Sequence, residues 1–433
     1  MKKFSYLTAC ILLGFASSAN AESETRDRTH SVNKAIQTVA QTQEKSIEIV
    51  DQKKNLINEG KLTGQFRSLY STYNNKNMQD TYATAIGGML KYETAEYHGW
   101  NFAAAMVTTN DVRALSGDGV KHNSELSGDK RSYTELSEVY VNYNYEDFQF
   151  RVGRQVIDTP LADSDDSLMI ANTFEAYTAS YSSESWSFSL GHFDRWQGAD
   201  ADLNEGWVKT GKNGVNYLGA LFTNKLLDIS VWYYDFSNPS DSEILQGATA
   251  IANQTFYTDI SAHIYFNRAT FLHLNAQYLL QNSYDNSIVE SNIYGLMGEI
   301  VYEGLGIRLA YNNSQREVNK ESFVGYGGGP LYTSMDSATL DAINSDRSAY
   351  ATVGILSYSF ADFKLLYAYG LFKGDSDSQG VKAKVVEQNF GIEYSYNDAL
   401  TFGAIYVIDR NKEDSSSTEF NDDNFRLLFA YNF

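Results

Sequence analysis

The sequence predicts an all-β protein, a transmembrane antiparallel β-barrel of about 18 strands with a short N-terminal helical segment. From Lys61 onward, apolar residues recur with a period of two, as they do in strands. The connections between these segments alternate between short and long, which is typical of outer-membrane barrels. The last segment of the sequence is a strand with aromatic residues at alternate positions. An unpaired edge of this kind promotes aggregation, unless the strand pairs with the first strand and closes a barrel.

Composition narrows the class of protein. The chain has 433 residues, 43% of them hydrophobic, and 32 are Tyr. A mean hydropathy of −0.39 excludes a bundle of membrane-spanning helices. Abundant tyrosine suits the aromatic girdles at a membrane interface, and only 3 Pro residues agree with many long strands. The formal net charge of −20, without a basic patch, argues against a nucleic-acid partner.

Residues 1–21 have the pattern of a secretory signal peptide. Lys2 and Lys3 precede an apolar run, and Ala19-Asn20-Ala21 forms a cleavage site. The sequence predicts cleavage after Ala21, which leaves a mature chain without cysteine, because Cys10 is the only one. Leu7-Thr8-Ala9-Cys10 faintly matches a lipoprotein cleavage box, but the apolar run continues past Cys10.

Residues 22–60 lack aromatic residues and carry apolar residues at steps of three and four. This stripe indicates a periplasmic helix, either continuous or broken, that ends at Gly60. It would serve as a pore plug, a short coiled coil or a cell-wall contact. A poorly ordered leader is the alternative.

Residues 61–433 are predicted to form the barrel. The sequence places short connections near 96–98, 146–147, 183–184, 224–225, 267–268, 303–304, 361–362 and 397–398. It places long ones near 74–81, 109–132, 158–172, 196–213, 237–252, 282–290, 316–347, 374–383 and 411–422.

The alternation of residues predicts which side chains lie on each face of the strands. The residues expected to face lipid are Val139, Val141, Tyr143, Phe148, Phe150, Val152, Leu272, Leu274, Ala276, Ile307, Leu309, Tyr311, Phe363, Leu365, Tyr367, Phe390, Ile392, Tyr394, Leu400, Phe402 and Ala404. The alternate positions predict a polar pore wall of Arg67, Lys91, Glu93, Glu138, Arg151, Asp259, His263, Asn275, Glu299, Arg308, Glu393 and Arg426. An Arg or Lys facing mid-membrane lipid costs about 2–4 kcal/mol, so these charges indicate a wet interior.

The C-terminal strand carries a second expectation. Phe425, Leu427, Phe429, Tyr431 and Phe433 share one apolar face. This ending resembles the C-terminal signal that barrel assembly machinery reads in bacterial outer-membrane proteins. The last three of these residues are therefore the predicted assembly signal.

One internal stretch points to a family. It reads Gly153-Arg154-Gln155, Asp158-Thr159-Pro160-Leu161, Asp163-Ser164-Asp165-Asp166-Ser167, Met169 and Asn172-Thr173-Phe174-Glu175-Ala176. It resembles the third-loop region of the outer membrane porin D family, especially its epsilon-proteobacterial branch. The resemblance recurs in residues 61–70, in residues 327–335 and in the aromatic C-terminus, and so covers roughly residues 60–433.

This resemblance implies a channel of about 18 strands whose third loop, residues 158–172, folds inward and narrows the pore. It also implies uptake of small solutes, with basic amino acids and peptides as the best-known class. Leu168 stands where the family tends to place a basic residue, and Ala171 where it places a proline. The first departure puts the family's substrate preference in doubt.

The predicted constriction loop is acidic. It carries Asp158, Asp163, Asp165 and Asp166, with no base between Gln155 and Glu175. Because rings of carboxylates select cations, the sequence predicts weak cation selectivity. The alternative is that these aspartates cap turns and pair with Arg151 or Arg154. An EF-hand is rejected because Leu168 and Phe174 stand at the positions that need Gly and Glu.

The sequence therefore predicts a porin for passive diffusion of small polar solutes, without a cofactor or metal. Expected partners are outer-membrane lipid, lipopolysaccharide and the assembly machinery. Lipopolysaccharide would be held through divalent cations by the outer-loop acids Asp375, Asp377, Asp414, Asp422 and Asp423. The alternatives are a structural or adhesive barrel and a barrel hydrolase, for which His192 and Asp194 would orient a base.

Overall fold

Alternation of apolar and polar residues from Lys61 onward produces one continuous antiparallel sheet. The computed structural model describes residues 57, 59–211, 213–236, 252–284, 287–315, 320–343, 347–377, 380–413 and 420–433. The predicted signal peptide and nearly all of the predicted helical segment 22–60 lie outside these residues. The strands are β1 (Lys61–Asn75), β2 (Thr81–Glu93), β3 (Trp100–Asp111), β4 (Ser132–Tyr145), β5 (Phe148–Gln155), β6 (Thr173–Ser182), β7 (Trp186–Gln197), β8 (Val208–Lys209), β9 (Val215–Thr223), β10 (Leu227–Phe236), β11 (Asn253–Asn267), β12 (Thr270–Ser283), β13 (Ser291–Tyr302), β14 (Leu305–Gln315), β15 (Ala349–Phe360), β16 (Phe363–Gly374), β17 (Ala383–Asn397), β18 (Leu400–Asn411) and β19 (Asp422–Asn432).

Among the described residues, helical structure occurs only in the connections between strands. Single 3₁₀ turns occupy Arg113–Leu115, Gly119–Lys121, Ser124–Leu126 and Ala199–Ala201, and one α-helical turn, α1, occupies Leu340–Ile343. Within the described ranges, no helix is long and apolar enough to cross a membrane.

The sheet closes on itself. Of its nineteen strands, the two-residue β8 only extends the edge of β7, so the remaining eighteen form the ring. β1 pairs with β2 on one side and with β19 on the other, in a register that runs from Gln65 opposite Asn432 to Asn75 opposite Asp422. The prediction of about 18 strands in a closed antiparallel barrel is confirmed.

Short and long connections alternate around this ring. The short turns follow β2, β4, β6, β9, β11, β13, β15 and β17. At the turn between β13 and β14, Glu303 and Gly304 take φ values of 47° and 86°, the left-handed pair that a tight hairpin needs. The long connections gather at the other rim, here called the long-loop end. Those used below are loop 2 (112–131), loop 3 (156–172), loop 4 (198–214), loop 7 (316–348) and loop 8 (375–382).

The outer surface of the ring is an apolar band. Leu296, Leu309 and Phe390 are 59%, 61% and 45% exposed, although each lies in the middle of a strand. Aromatic residues flank the band, as where Phe363 stacks on Tyr394 with ring centroids 4.6 Å apart. Every residue that the sequence assigned to the lipid face lies on this outer surface. An exposed apolar band of this kind fits a lipid environment.

The interior of the ring is filled by inward side chains and by loops. One buried apolar cluster joins the strand residues Phe174, Phe193 and Tyr234 to Leu161 of loop 3 and Tyr326 of loop 7. A second joins Leu69 of β1 to Leu126 of loop 2 and to Leu168, Met169 and Ile170 of loop 3. Apolar loop residues thus bury themselves inside the barrel and hold the loops there.

Candidate functional site

Loop 3 crosses the interior of the barrel. At one wall, the N–H of Leu161 donates to the hydroxyl of Tyr234 on β10, with the N and O atoms 3.3 Å apart. At the other, Asp166 contacts Arg67 on β1. Since β1 and β10 stand nearly opposite each other in the ring, these few residues span the interior. Loop 3 therefore lies across the interior of the ring.

The backbone starts this inward path at Gly153 of β5. Its φ of +125° is rarely adopted by other residues, and a Cβ there would lie 2.1 Å from the carbonyl oxygen of Val139. The pairing of β4 with β5 ends at the next residue, Arg154. Glycine at this position lets β5 separate from β4, while β5 stays paired with β6 as far as Gln155, where loop 3 begins.

Asp166 forms an ion pair with a wall residue. The guanidinium of Arg67 donates to both carboxylate oxygens of Asp166, at 2.9 and 3.0 Å, and also to the carbonyl of Leu168. Arg67 is 4% exposed, whereas the Asp166 side chain is 46% exposed. The alternative that the loop 3 aspartates pair with Arg151 or Arg154 is therefore wrong for Asp166. Its basic partner is Arg67 of β1.

Two other loop 3 aspartates cap turns. Asp158 accepts the N–H of Ser164 at 3.2 Å, and Asp163 accepts the N–H of Asp165 at 3.3 Å. Both aspartates are half-buried. Their carboxylates hold the loop's own backbone in place, as aspartates commonly do in turns.

Asp165 lies beneath the loop surface. It is 3% exposed and packs near Asp200 of loop 4, itself 9% exposed. Burial, and next the charge of Asp200, raises the pKa of Asp165 well above its usual value. Burial also raises the pKa of Asp200 to about 6, although Asn172 donates to its carboxylate at 2.7 Å. Asp165 therefore contributes to loop packing, and its contact with the passage is small.

Loop 7 packs against loop 3. Tyr326 donates its N–H to the carbonyl of Leu161 at 3.0 Å and accepts the N–H of Asp163 at 2.8 Å. Gly325 and Gly327 flank this contact. A Cβ on either residue would lie 2.5 Å from a carbonyl oxygen of loop 3, so only glycine lets the two backbones approach this closely. The two loops thus pack together inside the barrel, and we call this place the candidate constriction.

Loop 7 is anchored to the wall between β17 and β19. The carboxylate of Glu387 accepts the N–H groups of Asp336, Ser337 and Ala338, at 2.9, 3.1 and 2.5 Å. Asp336 also pairs with Arg426 on β19, and Glu387, Asp336 and Arg426 are all less than 3% exposed. Arg426, predicted as a pore-wall residue, therefore holds loop 7.

The predicted wall residues on β2, β4 and β5 form one polar network. Lys91 pairs with Glu138 at 2.8 Å, and Glu93 accepts the hydroxyl of Tyr140 at 2.9 Å. The guanidinium of Arg151 lies over the same ring, 4.2 Å from its centroid. Both signs of charge are present, so this part of the wall is balanced.

The predicted wall residues on the opposite side also lie on the inward face. Glu299 pairs with Arg308 at 3.0 Å and lies 3.8 Å from His273. Asp259 accepts the hydroxyl of Tyr332 from loop 7. The rest of this set, without a role in the constriction, are His263, Asn275 and Glu393.

The pair proposed for a hydrolase lies on the outer surface. His192 contacts Asp194 at 3.1 Å and Asn216 at 2.9 Å. His192 pairs across the sheet with Tyr177, which is 58% exposed, and follows the outward Leu190. In the described residues, no group of three or more His, Cys, Asp or Glu side chains is arranged to hold a metal ion.

Loop 7 is the part of the site that sequence reasoning missed. Residues 327–335 were noted for their family resemblance, without a role, and Asp200, Asp336 and Glu387 were not singled out. The glycines at 325 and 327–329 were an available signal, since they mark a backbone that another segment approaches closely.

The C-terminal residues are part of barrel closure. Phe433 exchanges two backbone hydrogen bonds with Gly64, both 2.9 Å, and its ring covers that glycine. Phe429 contacts the rings of Phe66 and Phe402, with centroids 6.0 and 5.2 Å away. Tyr431 stacks on Phe433 on the same outer face.

Comparisons with known proteins agree with this architecture. No protein-family model matches the sequence, and no curated protein matches it. Among solved structures, the chain is similar to Acinetobacter baumannii OccAB2, with 14% identity, a TM-score of 0.72 and coverage of 88% of this chain and 99% of that chain. It is similar to Pseudomonas aeruginosa OpdK, solved with vanillate, with 14% identity, a TM-score of 0.69 and coverage of 88% and 100%. It is also similar to Pseudomonas aeruginosa OccK8 (OprE), with 12% identity, a TM-score of 0.66 and coverage of 87% of this chain and 99% of that chain. The chain therefore has the fold of these proteins over nearly their whole length.

Proposed function

We propose that this protein is an outer-membrane porin through which small hydrophilic solutes diffuse passively. The observation that carries the proposal is a closed ring of eighteen strands, apolar outside and charged inside, whose interior is narrowed by loops 3 and 7. A barrel of this size encloses more space than inward side chains fill, and the rest holds water. The fold shared with OccAB2 and OpdK supports the same conclusion.

Partly accessible charges inside the ring support a wet passage. The side chains of Lys91, Glu299 and Arg308 are 21%, 17% and 23% accessible although they point away from lipid. Charged groups in a dry interior would be strongly destabilising, so solvent reaches them along a central path.

We further propose that the porin is weakly cation-selective, favouring amino acids, small peptides and ions. Support comes from the acidic balance of loop 3, where Asp158, Asp163 and Asp166 face one base, Arg67. The ion pair with Arg67 keeps the expected preference weak. Placement in the porin D family's epsilon-proteobacterial branch is part of this proposal and rests on residues 153–176 and 327–335.

Purified barrel in a planar lipid bilayer tests the proposal. We expect discrete conductance steps in symmetric salt and a reversal potential of cation-selective sign in a salt gradient. Protein unfolded by boiling is the control and should give no steps. A folded barrel without conductance would refute transport and favour a structural barrel, whereas anion selectivity would refute only the selectivity.

A further inference from the structure

Three neighbouring strands each present a lysine at the long-loop end. Lys373 of β16 lies directly opposite Lys384 of β17 in the strand register. Lys412, one residue beyond β18, donates its N–H to the carbonyl of Lys384 at 2.7 Å and so continues the row. Directly opposite residues have Cβ atoms about 4.5–5.5 Å apart, so the three ammonium groups reach one small area.

This row, here called the lysine row, lies on the outer surface. Lys373 lies on the same face of β16 as Tyr369 and Leu365, which are 43% and 39% exposed. Lys384 likewise shares its face with Phe390 on β17, and Tyr406 is outward on β18. Lys373 lies four residues beyond Tyr369, about 13 Å along the strand. The row therefore lies just past the aromatic edge of the apolar band.

The lysine row has no carboxylate partner within the described part of the chain. The ammonium of Lys373 lies 5.8 Å from the ring centroid of Tyr350, and no ion pair involves the three lysines. The nearby Arg410, in contrast, pairs with Asp423. Like charges directly opposite each other destabilise a sheet. In a protein of net charge −20, three adjacent lysines without a carboxylate partner among the described residues favour an anion that is supplied from elsewhere.

We propose that the lysine row binds the phosphate groups of a glycolipid in the outer leaflet. This rests on the proposed outer-membrane location, where long loops are extracellular and the row meets the lipid headgroups. Lysine binds phosphate as a point charge, and a multiply phosphorylated headgroup such as lipid A matches several clustered ammonium groups. The acyl chains then lie along Tyr369 and Leu365.

This mode of binding differs from the one expected of the acidic outer loops. There, divalent cations were predicted to bridge lipopolysaccharide to Asp375, Asp377, Asp422 and Asp423. Two of these acids already pair with bases of this chain, Asp377 with Arg347 at 3.1 Å and Asp423 with Arg410. Asp414 lies outside the described residues. Direct contact between lysine and phosphate needs no divalent cation.

The test measures binding of bisphosphorylated lipid A to the folded barrel in detergent, for wild type and for the triple variant Lys373→Gln, Lys384→Gln, Lys412→Gln. We expect the variant to bind about tenfold more weakly at low salt. The difference should shrink as salt rises, because exposed charges are screened. Lipid A without its phosphates should bind both proteins equally, and a chelator should leave wild-type binding unchanged.

The matched control is Lys121→Gln, Lys130→Gln, Lys225→Gln, which removes the same charge from exposed lysines elsewhere. Equal binding by wild type and the row variant would overturn the proposal, as would an equal loss in the control. Loss of wild-type binding on chelation would favour the acidic loops. Conductance is recorded in parallel, so that failure of the transport function remains distinguishable from failure of lipid binding.

Discussion

Asp166 and Arg67 form one ion pair at the candidate constriction. The pair is bidentate, and the carboxylate side faces the passage more than the guanidinium does. Leu168, where the family resemblance leads one to expect a base, is buried between Leu69 and Leu126. The positive charge at this point of the loop is instead supplied by Arg67 of β1.

We predict opposite effects from removing either partner. Asp166→Asn leaves Arg67 uncompensated and should move the reversal potential toward anion selectivity. Arg67→Gln leaves Asp166 uncompensated and should move it toward cation selectivity, each by a few-fold change in permeability ratio. Asp375→Asn, the same charge change at an exposed position of loop 8, is the control. Shifts in the same direction for both variants would contradict the pairing.

Asp165 and Asp200 are a second pair of interest, because the protonation of their buried carboxyl groups depends on pH. Burial raises the pKa of both carboxyls, that of Asp200 to about 6, so the folded protein binds protons there more tightly than the unfolded chain does. Between about pH 4, the unfolded value, and pH 6, the native state holds more protons, and its stability therefore falls as pH rises. The contact between loops 3 and 4 should be tightest in acid.

Hydrogen exchange can test this pH dependence. The N–H of Ala199 donates to the carbonyl of Ile170 at 3.2 Å and reports on the contact between loops 4 and 3. After correction for intrinsic rates, its protection should fall from pH 5 to pH 7 in wild type. Asp200→Asn removes one buried carboxyl and should flatten that profile. A wild-type profile that is already flat would exclude the carboxyl pair as its cause.

At the scale of elements, loop 7 is held by one buried hydrogen-bond acceptor in the wall, the side chain of Glu387. Three backbone N–H groups point at the carboxylate of Glu387, and each would cost about 1–3 kcal/mol if left buried without a partner. Because loop 7 also supports loop 3 through Tyr326, release of its anchor should widen the constriction.

We therefore predict that Glu387→Gln increases single-channel conductance and current noise. The variant keeps the size of the side chain but places a donor NH₂ against backbone donors. Glu393→Gln, on the inward face of the same strand and not bonded to the described residues of loop 7, is the control for loss of one wall carboxylate. Conductance of Glu387→Gln equal to that of wild type, with the control also unchanged, would show that loop 7 needs no such anchor.

Elements differ in how much of them the sequence predicts. Strands, their faces and the alternation of turns depend on a local period of two and on turn residues, which are read directly from residues 61–433. The docking of loop 7 depends on contacts such as Asp336 with Arg426, 90 positions apart. Partners at such distances leave no local pattern. The acids of loop 3 were visible in the sequence, and Arg67 was assigned to the pore wall. The pairing of Asp166 with Arg67 and the packing of Asp165 near Asp200 were not predicted.

At the scale of the whole molecule, Phe433 takes part in barrel closure. Phe433 makes two backbone hydrogen bonds to Gly64 and covers it with its ring. We predict that deletion of Phe433 lowers the fraction of folded barrel far more than it lowers synthesis. The heat-modifiable folded band is compared with total protein, and replacement of Phe433 by Tyr serves as the conservative control. Equal folded fractions for deletion and wild type would show that this residue is dispensable for assembly.

The pairing of β1 with β19 also has a consequence in time. Ser68 meets Phe429, so the first strand gains its second neighbour only when nearly all of the 433 residues exist. At about 5–20 residues per second, synthesis of the chain from Ser68 to Phe429 takes roughly 20–70 seconds. Throughout that interval, β1 keeps an open, half-apolar edge that other chains can join. We therefore expect this edge to need protection from other chains until the last strand arrives. The same expectation applies to any barrel that is closed by its two terminal strands.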